Sequence, residues 1–134
     1  MYEFQEMPDV LKAVIDYLNV HSSITSRSAT VARDLKGYSA GARWVKVQVT
    51  GGTVPNKYRV WAPRMDVNAY AESAFEAFEL CRATLTALLS MKSEITSELV
   101  ITRVEIGTLP SDLTDPINGD YRFVADVTIH FRIK

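Results

Sequence analysis

The sequence predicts an α+β domain in which a single, mostly antiparallel sheet carries two helices packed on one face. Two apolar patterns with helical spacing are separated by segments in which apolar and polar residues alternate, as they do in half-buried strands. Turns rich in glycine and proline join most of these segments, and short connections favour antiparallel pairing. A chain of 134 residues suits one such domain, so residues 1–134 are expected to form a single unit.

Composition and charge argue against several function classes. The chain is 47% hydrophobic and 23% charged, with a formal net charge of −1. It lacks the positive excess that nucleic-acid-binding domains usually carry, so no sequence-specific nucleic acid binding is expected. Residues 1–10 have neither the basic nor the apolar region of a signal peptide, and no apolar run approaches the ~20 residues of a membrane helix. We therefore expect a cytoplasmic protein with no membrane partner.

The first element is predicted to be a helix over residues 8–20. Pro8 and the acid that follows it suit a first helical turn. The apolar residues then recur at three- and four-residue steps, at Val10, Leu11, Val14, Ile15 and Leu18. Residues 21–30 are polar and β-branched and are predicted to form a loop. A short strand over residues 30–35 and a turn-rich loop over residues 37–42 follow.

Two strands come next, and the second passes directly into a helix. Residues 44–50 alternate, with three valines on one side and Trp44 on the polar side, and Gly51-Gly52 is predicted to end this strand as a turn. In the next strand the apolar parity changes at Pro63. A bulge at residues 62–64 would bring both parities into the core, since proline cannot donate to a central ladder. Two separate short strands are the alternative.

The second helix is predicted to begin near residues 72–73 and to run to about Met91. Its expected buried stripe consists of Ala74, Phe75, Phe78, Cys81, Leu85, Leu88 and Leu89. A strand over residues 99–106 follows, with Val100, Val104 and Ile106 on one face. Residues 107–120 contain two prolines and two glycines and are predicted to be a long loop or hairpin tip.

The last strand shows the clearest alternation. Its expected buried side consists of Phe123, Ala125, Val127, Ile129, Phe131 and Ile133. Its polar side carries Arg122, His130, Arg132 and Lys134, relieved by Asp126. These basic residues suit phosphates or an acidic partner, but a solvated sheet face or a charged edge that prevents aggregation is the favoured interpretation.

The residues with reactive side chains predict no catalytic, cofactor-binding or metal site. Cys81 lies on the apolar stripe of the second helix, so a small buried hydrophobe is favoured over a nucleophile. His21 and His130 have no further ligand at metal-binding spacing. The acids of residues 111–120 do not match a calcium loop and are typical turn formers.

Several local sequences together resemble one protein family. "PDVLKAVIDYL" begins an N-terminal helix, and "WVKVQVTGG" is a strand that ends in paired glycines. "PRMDVNAYA" is a strand that passes directly into the helix "SAFEAFELCRATLTALL". "YRFVADVTIHFR" is a final aromatic strand after a Pro/Asp-rich loop. In this order and spacing the chain resembles the tail terminator (tail completion) proteins of long-tailed, siphovirus-type bacteriophages.

The resemblance implies a structural virion protein without an enzymatic site or cofactor. Family members form a ring, usually of six subunits, at the head-proximal end of the tail tube. The ring ends tube polymerisation and provides the surface that joins the head connector. The implied partners are other copies of the chain, the major tail tube protein, the head–tail connector or head completion protein, and the tape measure protein. The implied location is the head–tail interface of the virion, and the host cytoplasm during assembly.

The long loop over residues 107–120 is the predicted contact with a neighbouring subunit or with the tube, because long loops in small domains are often functional. The predicted interface residues are Leu109, Leu113 and Ile117 as apolar contacts, Asp112 and Asp115 at the rim, and Arg122 and Arg132 on the last strand. A mobile surface loop is the alternative. At the level of function, another neck component such as a head completion protein, or a small ligand-binding or enzymatic domain with a pocket between sheet and helices, remains open.

Overall fold

A computed structural model of the chain describes residues 9–53, 60–96, 99–114 and 120–133. The helices in this part are α1 (Val10–Val20), α2 (Ser22–Thr25) and α3 (Ala74–Leu89). The strands are β1 (Thr30–Ala32), β2 (Trp44–Thr53), β3 (Val60–Ala71), β4 (Leu99–Asp112) and β5 (Tyr121–Ile133).

The five strands form one sheet in the order β1-β2-β3-β5-β4. β1 runs parallel to β2, and the other three pairings are antiparallel. The long helices α1 and α3 join all five strands in one buried apolar cluster, so both lie on the same face of the sheet. The predicted α+β fold with a single, mostly antiparallel sheet is confirmed.

α1 forms where the apolar spacing predicts it. The carboxylate of Asp9 caps the helix by accepting from the backbone N–H of Lys12 at 3.0 Å. Val10, Val14 and Leu18 are fully buried on one stripe, as the spacing of the sequence requires. Pro8 lies outside the described residues.

The segment predicted as a loop after α1 contains the single helical turn α2, so that prediction is wrong. His21 caps the turn, because its Nδ1 accepts from the backbone N–H of Ser23 at 3.2 Å. Ile24 is completely buried and anchors the turn to the core. One buried side chain in a polar segment gives no periodic pattern, which explains why the sequence does not reveal it. β1 also ends at Ala32, earlier than predicted.

The paired glycines do not end β2, and the predicted bulge in β3 is wrong. Gly51 pairs with Arg64 and Gly52 with Pro63, and the extra residue lies in β2, where the register shifts between Val49 and Gly51. β3 keeps one register with β5 on both sides of Pro63. It is one long strand, as predicted, and it buries Met65 completely.

A bulge that changes the buried parity is present, but in β4. The pairing of β4 with β5 shifts by one residue between Ile101 and Arg103. Ile101 is therefore buried before the shift, and Val104 and Ile106 pack against the core after it, although their parity differs. The predicted place of Val100 on this face is wrong, since its neighbours Leu99 and Ile101 are the buried residues.

α3 begins one residue after its cap, Ser73, whose hydroxyl accepts from the backbone N–H of Glu76 at 3.2 Å. Its buried residues are Ala77, Leu80, Cys81, Ala83, Thr84, Leu85, Ala87 and Leu88. Phe75 is 71% exposed and Leu89 is also exposed, so both were wrongly predicted to lie on the stripe. They are in the first and last turns of the helix, outside its buried middle.

Candidate assembly interface

The outer half of the β4–β5 hairpin leaves large apolar side chains of β4 exposed, although β5 still pairs there with β3. We call residues 107–114 and 120–124 the hairpin arm. The prediction of a long loop or hairpin tip over residues 107–120 is wrong for residues 107–112, because β4 continues to Asp112, which pairs with Phe123. The backbone N–H of Leu113 then donates to the carbonyl of Arg122 at 2.9 Å.

The sequence does not reveal these strands, because this part of the chain is rich in residues that are typical of loops. β4 is an edge strand, and its register with β5 shifts between Ile106 and Thr108 and again between Thr108 and Ser111. Gly107 and Pro110 fall within these irregular stretches, where an edge strand tolerates them. The turn composition therefore marks bulges in a strand, although it resembles that of a loop.

The hairpin arm exposes large apolar side chains. Leu109 is 77% exposed, Leu113 is 51% exposed and Tyr121 is 37% exposed. Next to them Asp112 folds back on the turn, where its Oδ1 accepts from the backbone N–H of Thr114 at 2.8 Å. The hydroxyl of Thr114 donates to the same oxygen, and these two hydrogen bonds hold the pKa of Asp112 below its usual range. Apolar side chains bordered by ionised groups have the composition of a binding patch.

The structure brings only some of the predicted interface residues together. Leu109, Asp112 and Leu113 lie on the arm, as does Arg122, which is half-buried. The Nε of Arg122 is buried and has no hydrogen-bond partner within the described part of the chain. Arg132 pairs with Val60 and Val100 near the opposite end of β5, so it does not belong to this patch. Asp115 and Ile117 lie outside the described residues.

The sequence does not predict the packing on the other face of the sheet. Trp44 was expected on the polar side but is buried, and it pairs across β2 and β3 with Tyr70, which is also buried. Tyr38 covers both rings, with centroid distances of 6.1 Å to Trp44 and 5.1 Å to Tyr70. Two aromatic residues on the polar parity of neighbouring strands were the available signal that a loop covers them.

No protein-family model matches the chain, and no curated protein matches it. No helix in the described ranges is long and apolar enough to cross a membrane.

Other parts of the described chain offer weaker sites. A groove of about 670 Å³ lies between α1 and the connection from α3 to β4. Its ionisable side chains include Lys12 and Asp16, whose Nζ and Oδ2 atoms form an ion pair of 2.7 Å on the surface. Within the described ranges, no three His, Cys, Asp or Glu side chains group as metal ligands. Cys81 is buried as predicted, and burial raises the pKa of its thiol to about 12.

The basic residues of β5 are distributed along the polar face of the sheet. The Nε2 of His130 lies 3.1 Å from the Oε1 of Glu105, and the Nε of Arg103 lies 2.8 Å from the same oxygen. Asp126 follows Val124 on the same face and interrupts the positive charge. This arrangement fits the favoured interpretation of a solvated face better than a phosphate site.

Proposed function

We propose that the protein is a structural component of a long-tailed phage virion. In this proposal it forms a ring at the head-proximal end of the tail tube, ends tube polymerisation and provides the surface that joins the head connector. The resemblance of the chain to tail terminators supports the proposal. The structural observation that carries it is the hairpin arm, which presents Leu109, Leu113 and Tyr121 to solvent.

Exposed leucines on an ordered strand are an assembly feature for a physical reason. Covering apolar surface contributes roughly 25 cal/mol per Å², so a partner that buries Leu109 and Leu113 gains free energy. β4 and β5 are already paired along the arm, so binding there requires little ordering of the backbone. A fixed arm therefore suits a subunit that must meet its neighbour in one orientation.

The arm also suits a ring more than a two-fold dimer. The β4 half of the arm lies at one edge of the sheet, whereas the other edge is the three-residue strand β1. A contact between the arm and a different surface of the next copy is heterologous, and heterologous contacts close into rings when the rotation permits. The proposed partners of the arm are the adjacent subunit and the major tail tube protein. Contacts with the head connector, head completion protein and tape measure protein are assigned to other surfaces.

The test uses the full chain and tail tubes assembled from the major tail protein of the same phage. The purified chain is mixed with the tubes, more tail protein is added, and tube length and tube ends are recorded by electron microscopy. We expect a ring of this protein at one end of each tube, and no further growth from that end.

Substitution of the arm makes the test specific. We expect Leu109→Ser/Leu113→Ser to abolish capping, because the variant removes the apolar contacts of the arm. Val20→Ser is the matched control, since Val20 is 78% exposed at the end of α1 and should leave capping unchanged. Tubes that keep growing with the unchanged protein would contradict the proposal. Binding to the isolated head connector without binding to tube ends would instead identify a head completion protein.

A further inference from the structure

A surface hollow of about 240 Å³ lies between α2 and α3. Two arginines and two residues with hydroxyl groups contribute to its lining, which consists of Ser23, Arg27, Arg82, Ala83 and Thr86. None of these residues is acidic, and none belongs to the hairpin arm. Guanidinium groups donate hydrogen bonds and accept none, so the hollow has the polarity that an anion requires.

Arg27 is held beside the hollow without an acidic partner. Its Nη1 donates to the carbonyl of Ser23 at 2.7 Å, and its own carbonyl accepts from the Nη1 of Arg43 at 2.9 Å. The residue is half-buried, and within the described ranges no carboxylate forms an ion pair with it. A guanidinium has five N–H donors and keeps its charge at every physiological pH. Arg27 therefore retains a full positive charge and unused donors.

Arg82 brings a second guanidinium to the hollow. Its Nη2 donates to the Oε2 of Glu79, three residues earlier on α3, and Glu79 does not line the hollow. This pair uses one of the five donors of Arg82. The hydroxyl of Thr86 donates to the carbonyl of Arg82 at 3.0 Å, so the hydroxyl of Ser23 is the one that can donate to a ligand here.

The charges around the hollow leave a positive excess. The Nη2 of Arg43 lies 3.3 Å from the Oε1 of Glu76, so these two side chains neutralise each other. Arg82 and Glu79 form the second pair. Arg27 remains as the charge without a counter-ion in this part of the described chain. A cation that is partly withdrawn from water is stabilised by an anion placed against it.

We propose that this hollow binds a phosphate group, with Arg27 as the main contact and Arg82 as the second. Phosphate suits two guanidinium groups better than a carboxylate does, because it carries more charge and presents more acceptor oxygens. Inorganic phosphate and the phosphate of a mononucleotide share this chemistry. The inference is independent of the proposed function, since the hollow shares no residue with the arm.

NMR titration of the full chain at constant ionic strength tests the site. Inorganic phosphate, adenosine monophosphate and acetate are added in separate titrations, and the backbone amide signals of Ser23, Ala83 and Thr86 are followed. We expect phosphate to shift these signals with a dissociation constant on the order of 1 mM, as for a small ligand held by a few charged contacts. Equal affinity for both phosphates means that the free anion suffices, and tighter binding of the nucleotide identifies a phosphate ester as the ligand.

Substitutions assign the binding to the two arginines. We expect Arg27→Gln to weaken phosphate binding at least about tenfold, the effect of losing hydrogen bonds between charged groups. Arg82→Gln should weaken it less, because Glu79 already shares its charge. Arg33→Gln is the matched control, since Arg33 is a surface arginine that pairs with Asp9 at 3.1 Å, and binding should not change. If Arg27→Gln does not fold, the comparison of Arg82→Gln with Arg33→Gln decides the question.

The proposal is overturned if phosphate causes no saturable shift at Ser23, Ala83 and Thr86. It is also overturned if Arg27→Gln and Arg82→Gln bind phosphate as tightly as the unchanged protein does. Acetate that saturates the same signals at the same concentrations would show that the hollow takes any anion, which contradicts a phosphate site.

Discussion

The two halves of the β4–β5 hairpin differ sharply although the same two strands form both. In the core half, Leu99 and Ile101 are buried opposite Phe131 and Ile133. In the arm, Leu109 has most of its surface in water although β4 is still paired with β5. Pairing alone therefore does not produce burial. The contrast teaches that one hairpin supplies both part of the core of the domain and an exposed apolar surface.

Two features explain the difference between the halves: helix α3 covers the core half, and bulges interrupt the pairing of β4 in the arm. α3 packs on β3, β5 and β4, and the core half of the hairpin lies in the same buried cluster as this helix. The arm carries two of the three register shifts of β4, at Gly107 and between Thr108 and Ser111. Bulges bend a strand and increase its twist, so the outer part of β4 turns away from the line of its core half.

The largest expected effect comes from the core half. Phe131→Ala removes a completely buried ring that stacks on Trp61, with centroids 6.4 Å apart. We expect the free energy of unfolding to fall by about 3–5 kcal/mol, as for other buried aromatic residues. Denaturant titration measures the change. If Phe131→Ala lowers the free energy of unfolding no more than an arm substitution does, the two halves of the hairpin do not differ in their contribution to stability.

A smaller effect is expected at the helix that covers the core half. Cys81→Ala should lower the free energy of unfolding by about 1 kcal/mol, because it leaves a small cavity. The native thiol should react slowly with a thiol reagent at pH 8, since Cys81 is fully buried and its pKa is raised to about 12. Rapid labelling of the native protein would show that α3 does not shield this position.

Tyr38 predicts a smaller effect at alkaline pH, because its side chain is only half-buried. The pKa of Tyr38 is raised from 10.0 to about 12, so the folded protein retains a proton that the unfolded chain loses first. This contribution to stability is complete below pH 10 and is lost as the pH rises towards 12. Tyr38→Phe should therefore show a shallower loss of stability over this range, measured by denaturation at several pH values. Equal slopes for the two proteins would argue against a half-buried hydroxyl that keeps its proton above pH 10.

The smallest effect on stability is expected in the arm. Leu109→Ser/Leu113→Ser should change the free energy of unfolding by less than about 0.5 kcal/mol per site, because exposed side chains contribute little to the fold. The same variant is expected to lose tube capping completely. Thermal denaturation measures the change in stability, and the capping assay measures the loss of capping. A large loss of stability would mean that the arm belongs to the core.

The sequence predicts those elements whose pattern is regular. α1, α3, the single long β3 and the alternation of β5 follow from apolar spacing, and the fold class follows from their order. The bulges do not follow, because the composition does not say which of two paired strands holds the extra residue. Pro63 suggested β3, whereas the extra residues are in β2 and β4.

The candidate site could be predicted only in part, because only some of its residues form a local pattern. Leu109 and Leu113 were predicted as contacts because they are apolar residues in a polar segment, and Asp112 was predicted as an acid at the rim. The paired strands beneath them were missed, since Gly107 and Pro110 are as common at bulges as in loops. The hydroxyl of Tyr38 donates to the Oδ1 of Asp120, 82 positions away in the chain, and no local pattern signals this contact.

The place of β5 in the sheet has a consequence for biosynthesis. β5 is the last described strand in the chain, yet it lies between β3 and β4. Until residues 121–133 leave the ribosome, both neighbours have open edges and the arm lacks one of its two strands. The surface that we propose for assembly therefore exists only on chains whose translation has passed β5. In the proposed ring, topology alone would keep unfinished chains out.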